Sequence, residues 1–371
     1  MTLPARVVAV AVTLVAGGCG PADDALLART WAGYRSRFIA PDGRVVRPEH
    51  GNDTVSEGQA YAMLRAAWMN DQATFDSVWR WTKQRLSRGG TAAPALLAWR
   101  WTVDAGVADK NVASDADADV ALALLVGARR WPRSADTYRT AARAMLMDLI
   151  EHVVVLDDEG RTLFLPGEWA DERSEGRGLV LNPSYLAPAS FRAFHQATGD
   201  GRWLALADGS YDVLEAICNG PSGTMAPDWI RWWSDERWTA ESRGADSTGW
   251  DAVRVPWRVG TDWLWFQHPR SRAYLDRCVQ PVIKRRLEAG HGMTVRPAES
   301  GDAGESEHPL ANAMFSFALQ SAADRDRLLA RLLPAIELKG SRAYFAEPNR
   351  YYVNSLAYLP FLARAGRYQA P

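Results

Sequence analysis

The 371-residue sequence has no surplus of either charge and no long apolar run beyond its first 18 residues. Its 43 lysines and arginines nearly balance its 44 aspartates and glutamates, which leaves a net charge of -1. A chain without a basic surplus is not expected to have nucleic acid or anionic lipid as its main partner. Without a second apolar run, we predict no transmembrane helix in the body of the protein.

Cysteine is also scarce, with three residues in the whole chain. Cys218 and Cys278 are the two that lie beyond the N-terminal region, and neither belongs to a CxxC or a Cys/His pattern. The metalloprotease motif HExxH is absent as well. The sequence therefore predicts no metal site and no cofactor. Two cysteines in an exported protein can form a disulfide, and the sequence leaves their pairing open.

The first 18 residues have the features of a secretion signal, with Arg6 before an apolar run too short to span a bilayer. The residues after this apolar run, Ala16-Gly17-Gly18-Cys19, resemble a bacterial lipobox, which predicts lipidation of Cys19. Ordinary signal cleavage is the alternative. We therefore expect a lipoprotein signal peptide at 1–18, a short tether at 19–25 and one domain at 26–371. The mature protein would be exported and anchored to a membrane of the cell envelope by its lipid.

Helical periodicity dominates the rest of the chain, which is 47% apolar and contains 17 tryptophans. Polar turns between apolar helices recur roughly every 50–70 residues, a spacing typical of repeated helical hairpins. We predict six inner helices that begin near residues 56, 115, 183, 256, 308 and 352. Such hairpins either stack into an open solenoid or close into a toroid. Residues 153–164 are predicted to form a small β-hairpin.

One acidic residue stands at the start of the first of these inner helices. Glu57 follows Ser56, which we predict to be the N-cap of a helix with apolar residues at 60, 63, 64, 67 and 68. In the simplest interpretation, Glu57 only complements the positive end of the helix dipole. That dipole favours the ionised carboxylate, so a proton-donor role requires burial or a nearby carboxylate to raise the pKa of Glu57.

Three aspartates at alternate positions, Asp115, Asp117 and Asp119, begin a second helical segment. A calcium loop would need a glycine at its sixth position and an acid at its twelfth, where this sequence has Val120 and Val126. The remaining plain interpretation is a helix start that is capped by acidic residues.

A third segment, residues 249–262, leads into a helix whose first turn contains Pro256. Asp251 and Arg254 would then lie just before the body of that helix. A surface ion pair between them is the plain interpretation.

Together these segments resemble glycoside hydrolase family 8. Ser56-Glu-Gly-Gln-Ala-Tyr-Ala-Met63 resembles the family's proton-donor segment, and Ala113-Ser-Asp-Ala-Asp117 matches its signature A-[ST]-D-[AG]-D. Trp250-Asp-Ala-Val-Arg-Val-Pro-Trp-Arg258 resembles its general-base segment. The chain departs from the family pattern at Val120, where Ile or Met is usual, and at Trp250, where Tyr is usual. The resemblance extends over about residues 31–368.

The resemblance implies an all-α fold, an (α/α)6 barrel with the N-termini of its inner helices at one mouth. It implies inverting, endo-acting hydrolysis with Glu57 as the acid, Asp251 as the base and Arg254 as the partner of the base. Asp115 would contact the sugar at the reaction centre. The acid and base of an inverting enzyme stand roughly 6.5–9.5 Å apart. We expect no metal, no cofactor and a monomer.

Further residues resemble cleft segments of the family, and for each aromatic one a place in the core is the alternative. The expected substrate contacts are Trp99, Tyr185, Asp228, Trp229, Arg254, Tyr351 and Tyr352. The expected substrate is a β-1,4-glucan, with chitosan, xylan or a biofilm glycan as alternatives. A non-catalytic glycan-binding lipoprotein with the same barrel and an open helical scaffold are the alternatives from other classes.

Overall fold

The computed structural model describes residues 21–88, 95–220, 225–235, 237–241, 249–295 and 307–371. The proposed signal peptide and Cys19 lie outside the described residues. None of the helices within the described ranges is long and apolar enough to cross a bilayer.

Helices account for most of the described chain, and short strands lie in the segments between them. The helices are α1 Pro21–Phe38, α2 Ser56–Trp68, α3 Gln72–Leu86, α4 Ser114–Arg130, α5 Ala135–Val153, α6 Pro188–Thr198, α7 Arg202–Cys218, α8 Val255–Phe266, α9 Pro269–Tyr274, α10 Gln280–Glu288, α11 Pro309–Phe315, α12 Ala322–Ala330, α13 Tyr351–Leu356 and α14 Leu359–Arg364. The strands are β1 Thr54–Val55, β2 Arg100–Thr102, β3 Gly106–Asp109, β4 Val154–Leu156, β5 Thr162–Phe164, β6 Leu179–Leu181, β7 Ile230–Trp232, β8 Trp238–Ala240, β9 Ile336–Lys339 and β10 Arg342–Phe345.

An inner ring is formed by α2, α4, α6, α8, α11 and α13. Residues 58–68 of α2 and 255–262 of α8 are buried without exception, as expected of helices surrounded by other helices. Each inner helix packs against the next one along the chain, and α13 packs against α2. This last contact closes the ring, so the hairpins form a toroid rather than an open solenoid. The predicted (α/α)6 barrel is confirmed.

The outer helices are amphipathic and bury one face against this ring. In α5 the buried positions recur every three or four residues, which places them on a single stripe. That stripe consists of Ala135, Tyr138, Ala142, Met145, Leu146, Leu149, Ile150 and Val153.

The C-terminal segment covers the end of the barrel at which the inner helices terminate. The Tyr368 hydroxyl accepts a hydrogen bond from Trp257 Nε1 at 2.8 Å, and its backbone carbonyl accepts one from Trp265 Nε1 at 3.1 Å. Its ring packs on Trp68, the last residue of α2, with ring centroids 4.7 Å apart. With this end covered, the N-terminal ends of the inner helices remain as the accessible mouth.

Small antiparallel sheets shape the loops between the helices. The predicted β-hairpin is confirmed as β4–β5, whereas the sheets β1-β2-β3, β6-β7-β8 and β9-β10 were not predicted. Their strands are two to four residues long, which is too short for alternation of apolar residues to be visible in the sequence. Two of these sheets matter for the site, because β1 leads directly into α2 and β7 follows Trp229.

Two local features differ from the sequence-based expectations, and a third answers a question that the sequence left open. Helix α1 begins at Pro21, so residues 21–25 belong to a helix rather than to a tether, and Asp23 is held there by an ion pair to Arg364 at 2.6 Å. Ser56 is the first residue of α2 rather than its N-cap, and its hydroxyl has no partner among the described residues. Cys218 and Cys278 form a disulfide with their Cα atoms 5.9 Å apart, which settles the pairing that the sequence left open.

Candidate active site

Glu57 is fixed at the mouth by the strand that precedes it. Val55 of β1 pairs with Arg100 of β2, and the Ser56 amide donates to the Trp99 carbonyl at 2.9 Å. The turn into α2 then places Glu57 on the accessible side, with 22% of its side chain exposed. The next residue must be a glycine, because a Cβ at Gly58 would lie 2.8 Å from the Tyr351 hydroxyl.

The three alternate aspartates at the start of α4 point to different partners. Asp115 points to Arg254 and is almost fully buried, with 2% of its side chain exposed. Asp117 turns away and accepts a hydrogen bond from the Leu97 amide at 2.9 Å, which ties α4 to the loop after α3. Asp119, one turn below Asp115, forms a buried ion pair with Arg258 at 2.7 Å. Helix capping therefore describes none of the three fully.

Arg254 joins the three predicted catalytic carboxylates. Its Nη1 contacts Glu57 Oε2 at 3.0 Å and Asp115 Oδ2 at 2.9 Å, and its Nη2 contacts Asp251 Oδ1 at 2.7 Å. Only 1% of the Arg254 side chain is exposed. The sequence predicted a pair between Arg254 and Asp251, and the structure adds the other two acids to it. Glu57 and Asp251 bind different nitrogens of one guanidinium, so the two groups share a single counter-ion.

Burial raises the pKa of Glu57 to about 7, against the lowering effect of Arg254 and with further increases from Asp115 and Asp251. Burial is also the main reason why the pKa of Asp115 is raised to about 6. The helix dipole at the start of α2 acts in the opposite direction, and burial outweighs it. Glu57 therefore keeps its proton up to near-neutral pH, as a general acid must.

Two neighbours of Arg254 were not identified from the sequence. Tyr61 Oη accepts a hydrogen bond from Nη1 at 2.9 Å, and Ser184 Oγ accepts one from Nη2 at 2.7 Å. Tyr61 lies one helical turn after Glu57 in the segment that resembles the family's proton-donor segment. That spacing places the two residues on one face of the helix and could have identified Tyr61. Ser184 lies in the segment that contains Tyr185. Its contact with Arg254 is made across the fold, and no local sequence pattern indicates it.

The predicted substrate contacts divide by accessibility. Trp99, Tyr185, Trp229 and Tyr352 are partly exposed around the carboxylates. Arg254 lies 5.6 Å from the ring centre of Tyr185, which in turn is 6.0 Å from the ring of Trp229.

Tyr351 does not face the cleft as predicted. It is buried, with 2% of its surface exposed, and its ring packs beneath Gly58. Its neighbour Tyr352 takes the accessible position, where its hydroxyl donates to the Trp250 carbonyl at 3.1 Å. On a helix, adjacent residues point in directions about 100° apart, so only one of the two tyrosines can face the mouth.

The Asp228 carboxylate is already engaged with the backbone. Its Oδ1 accepts hydrogen bonds from the amides of Gly249 at 3.1 Å, Asp251 at 3.1 Å and Ala252 at 2.7 Å. Its Oδ1 thereby holds the loop that carries Asp251, and the expected contact of Asp228 with substrate stays a prediction.

A metal ion does not fit among these acids, because the Arg254 guanidinium occupies the position between them that a cation would take. Within the described ranges, the group of side chains with ligand atoms close enough for a metal is Asp148, Glu151 and His152 on α5. His152 Nδ1 already contacts Glu168 at 3.0 Å, and Asp148 accepts from the Ala95 amide.

The sequence matches the profile described as Glycosyl hydrolases family 8 over residues 6–286. It is 31% identical over 364 residues to Endoglucanase A of Acetivibrio thermocellus, covering 94% of this chain and 70% of that protein. It spans 53% and 61% of the lengths of two further curated endoglucanases.

Solved structures agree with this match. Endo-β-1,4-glucanase CMCax from Acetobacter xylinum superposes with a TM-score of 0.71 at 25% identity, covering 93% of this chain and 99% of that one. A β-1,3-1,4-glucanase from Paenibacillus sp. X4 superposes with a TM-score of 0.78 at 22% identity, over 96% and 95% of the two chains, and supports the fold alone. The chain belongs to the glycosyl hydrolases of family 8.

Proposed function

We propose that this protein is an inverting endoglucanase that hydrolyses β-1,4-glucan, with Glu57 as the general acid and Asp251 as the general base. The observation that carries the assignment is the difference between the two carboxyl groups. Burial raises the pKa of Glu57 to about 7. Asp251 is more exposed, at 31% of its side chain, and its oxygens accept hydrogen bonds from Arg254 and Trp229.

In the forward reaction, Glu57 donates its proton to the glycosidic oxygen as the bond to the leaving sugar breaks. The new carboxylate is stabilised at once, because Arg254 Nη1 already lies 3.0 Å from Glu57 Oε2. Asp251 takes a proton from the water that attacks the anomeric carbon on the opposite face. Asp115, which contacts the same guanidinium, would contact the sugar ring at the reaction centre.

The preference for β-1,4-glucan rests on the names of relatives, endoglucanase and endo-β-1,4-glucanase. Soluble β-glucans, xylan, chitosan and bacterial exopolysaccharides, scored by product length, form the appropriate panel. We expect cleavage within β-1,4-glucan chains to be fastest. Faster hydrolysis of another polymer would change the assigned substrate and would leave the roles of Glu57 and Asp251 unaffected.

The stereochemistry of the first product tests the division of roles. If Asp251 activates water, proton NMR of a fresh digest shows the α-anomer before mutarotation. Asp251→Asn should abolish that activity, and azide should restore part of it by replacing the base. A β-anomer formed first would require a nucleophile and a covalent intermediate, and Asp251 would lose its role as a base.

We also propose that the protein is exported and anchored through a lipid on Cys19, and that it acts as a monomer. Support for the anchor comes from Ala16-Gly17-Gly18-Cys19 after the short apolar run. Cys19→Ala should release the protein from the membrane fraction with unchanged activity, because residue 19 is not among the residues of the candidate site. If the variant stays with the membrane to the same extent as the native chain, the lipid anchor is excluded.

A further inference from the structure

Trp229 contacts the carboxylate of the base directly. Its indole Nε1 donates a hydrogen bond to Asp251 Oδ2 at 3.1 Å. The other oxygen, Oδ1, accepts one from Arg254 Nη2 at 2.7 Å. Each carboxylate oxygen therefore receives one donor from the described residues, and the two donors together fix the plane of the carboxylate. The remaining lone pairs of both oxygens are left for a water molecule.

Trp229 itself is held in place from two sides. Its backbone carbonyl accepts a hydrogen bond from the Glu241 amide at 2.9 Å, next to the β7–β8 ladder. Its ring lies 6.0 Å from the ring of Tyr185 and 6.1 Å from the ring of Trp169. An indole that is constrained by a sheet and by two other rings presents its N–H in a fixed direction.

Asp228, the preceding residue, holds the backbone of the base loop. Its Oδ1 accepts from three amides, those of Gly249, Asp251 and Ala252. The loop approaches so closely that a Cβ on Gly249 would overlap the Asp228 carboxylate. An oxygen with three donors has no capacity left for a sugar hydroxyl.

We propose that Asp228 and Trp229 form one positioning device for the general base, in which Asp228 sets the backbone of Asp251 and Trp229 sets the orientation of its carboxylate. The proposal rests on the proposed base role of Asp251. The catalytic advantage is preorganisation, because an acceptor that is already aimed at the attacking water needs no rearrangement in the transition state.

Trp229 is one of several groups that act on Asp251. Other charged or titratable groups act on Asp251 as well, and they must stay unchanged in any test of this contact. They are Arg254, Glu57, Asp115, Asp228, Tyr185 and Tyr352.

Trp229→Phe tests the hydrogen bond, since it removes the N–H and keeps an aromatic ring. We expect kcat on soluble β-glucan to fall about 10-fold, the effect of one lost hydrogen bond to a charged group, with little change in KM.

Trp238→Phe is the matched control. Trp238 belongs to the same sheet, and its Nε1 donates to the Ala216 carbonyl at 3.3 Å, so its substitution also removes one indole hydrogen bond. We expect unchanged kcat and KM in this variant. A loss of kcat in this variant like that of Trp229→Phe would assign the effect to the sheet as a whole and overturn the proposal.

Asp228 is tested by comparing two substitutions. Asp228→Asn keeps an oxygen that accepts from the three amides, whereas Asp228→Ala removes it. We expect the Ala variant to lose at least 10-fold more kcat than the Asn variant. Equal losses would mean that the charge matters rather than the acceptor, and would refute the positioning role of Asp228.

Failure of this proposal can be separated from failure of the proposed function. If Trp229→Phe raises KM alone and leaves kcat unchanged, Trp229 is a sugar-binding surface and the device does not exist. Asp251 remains the base in that case. If Asp251→Asn retains activity, the base assignment itself fails, and the positioning proposal fails with it.

Discussion

Two Asp–Arg pairs one helical turn apart connect α4 to Arg254, the residue just before α8, and to Arg258 within α8. At the mouth, Asp115 contacts Arg254 at 2.9 Å, and one turn deeper Asp119 contacts Arg258 at 2.7 Å. All four side chains are at most 4% exposed. The pairs use the same residue types one helical turn apart, and their surroundings differ.

The deeper pair is balanced, because both oxygens of Asp119 accept from the two terminal nitrogens of Arg258, each at 2.7 Å. The pair at the mouth is not balanced, because Glu57 and Asp251 also contact Arg254. One guanidinium cannot neutralise three carboxylates, so burial and mutual repulsion make it easier for an acid to keep its proton. Burial and the excess of acid, rather than the ion pair, raise the pKa of Glu57 and make it a proton donor, since Arg254 acts to lower that pKa.

Replacing the proton donor Glu57 should have the largest effect on activity. Glu57→Gln keeps the size of the side chain and cannot donate to the leaving oxygen, so we expect turnover of unactivated β-glucan to fall by about 10²–10⁴-fold. Circular dichroism and substrate binding should be unchanged. Near-normal turnover in this variant would remove Glu57 from the mechanism.

Breaking the deeper pair should affect stability instead. Arg258→Met leaves the buried Asp119 without its partner, and we expect the free energy of unfolding to fall by about 3–5 kcal/mol in chemical denaturation. Activity per folded molecule should stay close to that of the native chain.

The double variant Asp119→Leu with Arg258→Met serves as the control, because replacing a buried ion pair by apolar side chains is often neutral. It should recover most of the lost stability. A specific loss of kcat in both variants, with stability retained, would mean that the deeper pair also takes part in the chemistry.

The sequence predicted the repeat and the carboxylates because both are local patterns. Helical hairpins are visible as periodicity, and Glu57, Asp115 and Asp251 each lie in a continuous phrase. Closure of the ring could not be derived from periodicity, since it depends on the contact between α13 and α2, which are almost 300 residues apart. The family resemblance supplied it.

The shared role of Arg254 was missed for the same reason. Its partners Glu57 and Asp115 lie 197 and 139 residues away, and no local pattern reports such a contact. Tyr351 was misplaced because the sequence does not determine which of two adjacent tyrosines faces the mouth.

The pH dependence of activity tests whether the excess of carboxylates at the mouth raises the pKa of Glu57. Because the pKa of Glu57 is raised to about 7, kcat/KM should decline as the pH rises through about 7. Asp115 contributes to this raised pKa, so Asp115→Asn should move the basic limb to lower pH by on the order of one unit. Asp119→Asn, one turn deeper, should move it less. Equal shifts in the two variants would show that the mouth is not distinct from the deeper pair.

The smallest expected effect is the loss of folding stability that the raised pKa of Glu57 causes. In the unfolded chain Glu57 titrates near its ordinary value of 4.5, whereas in the folded protein its pKa is about 7. Below pH 4.5 both states hold the proton, and between these values only the folded state does. The unfolded state then binds fewer protons, so stability falls as the pH rises through this window and stays lower above pH 7.

At about 1.36 kcal/mol per pKa unit, the full cost is at most about 3 kcal/mol, and partial solvation of the side chain reduces it. Glu57→Gln removes this titration, so the variant should gain stability over the native chain at pH 8 and match it at pH 4.5. Denaturant unfolding of both proteins at the two pH values measures the difference. A native chain that is as stable as the variant at pH 8 would mean that the acid at the mouth carries no folding cost.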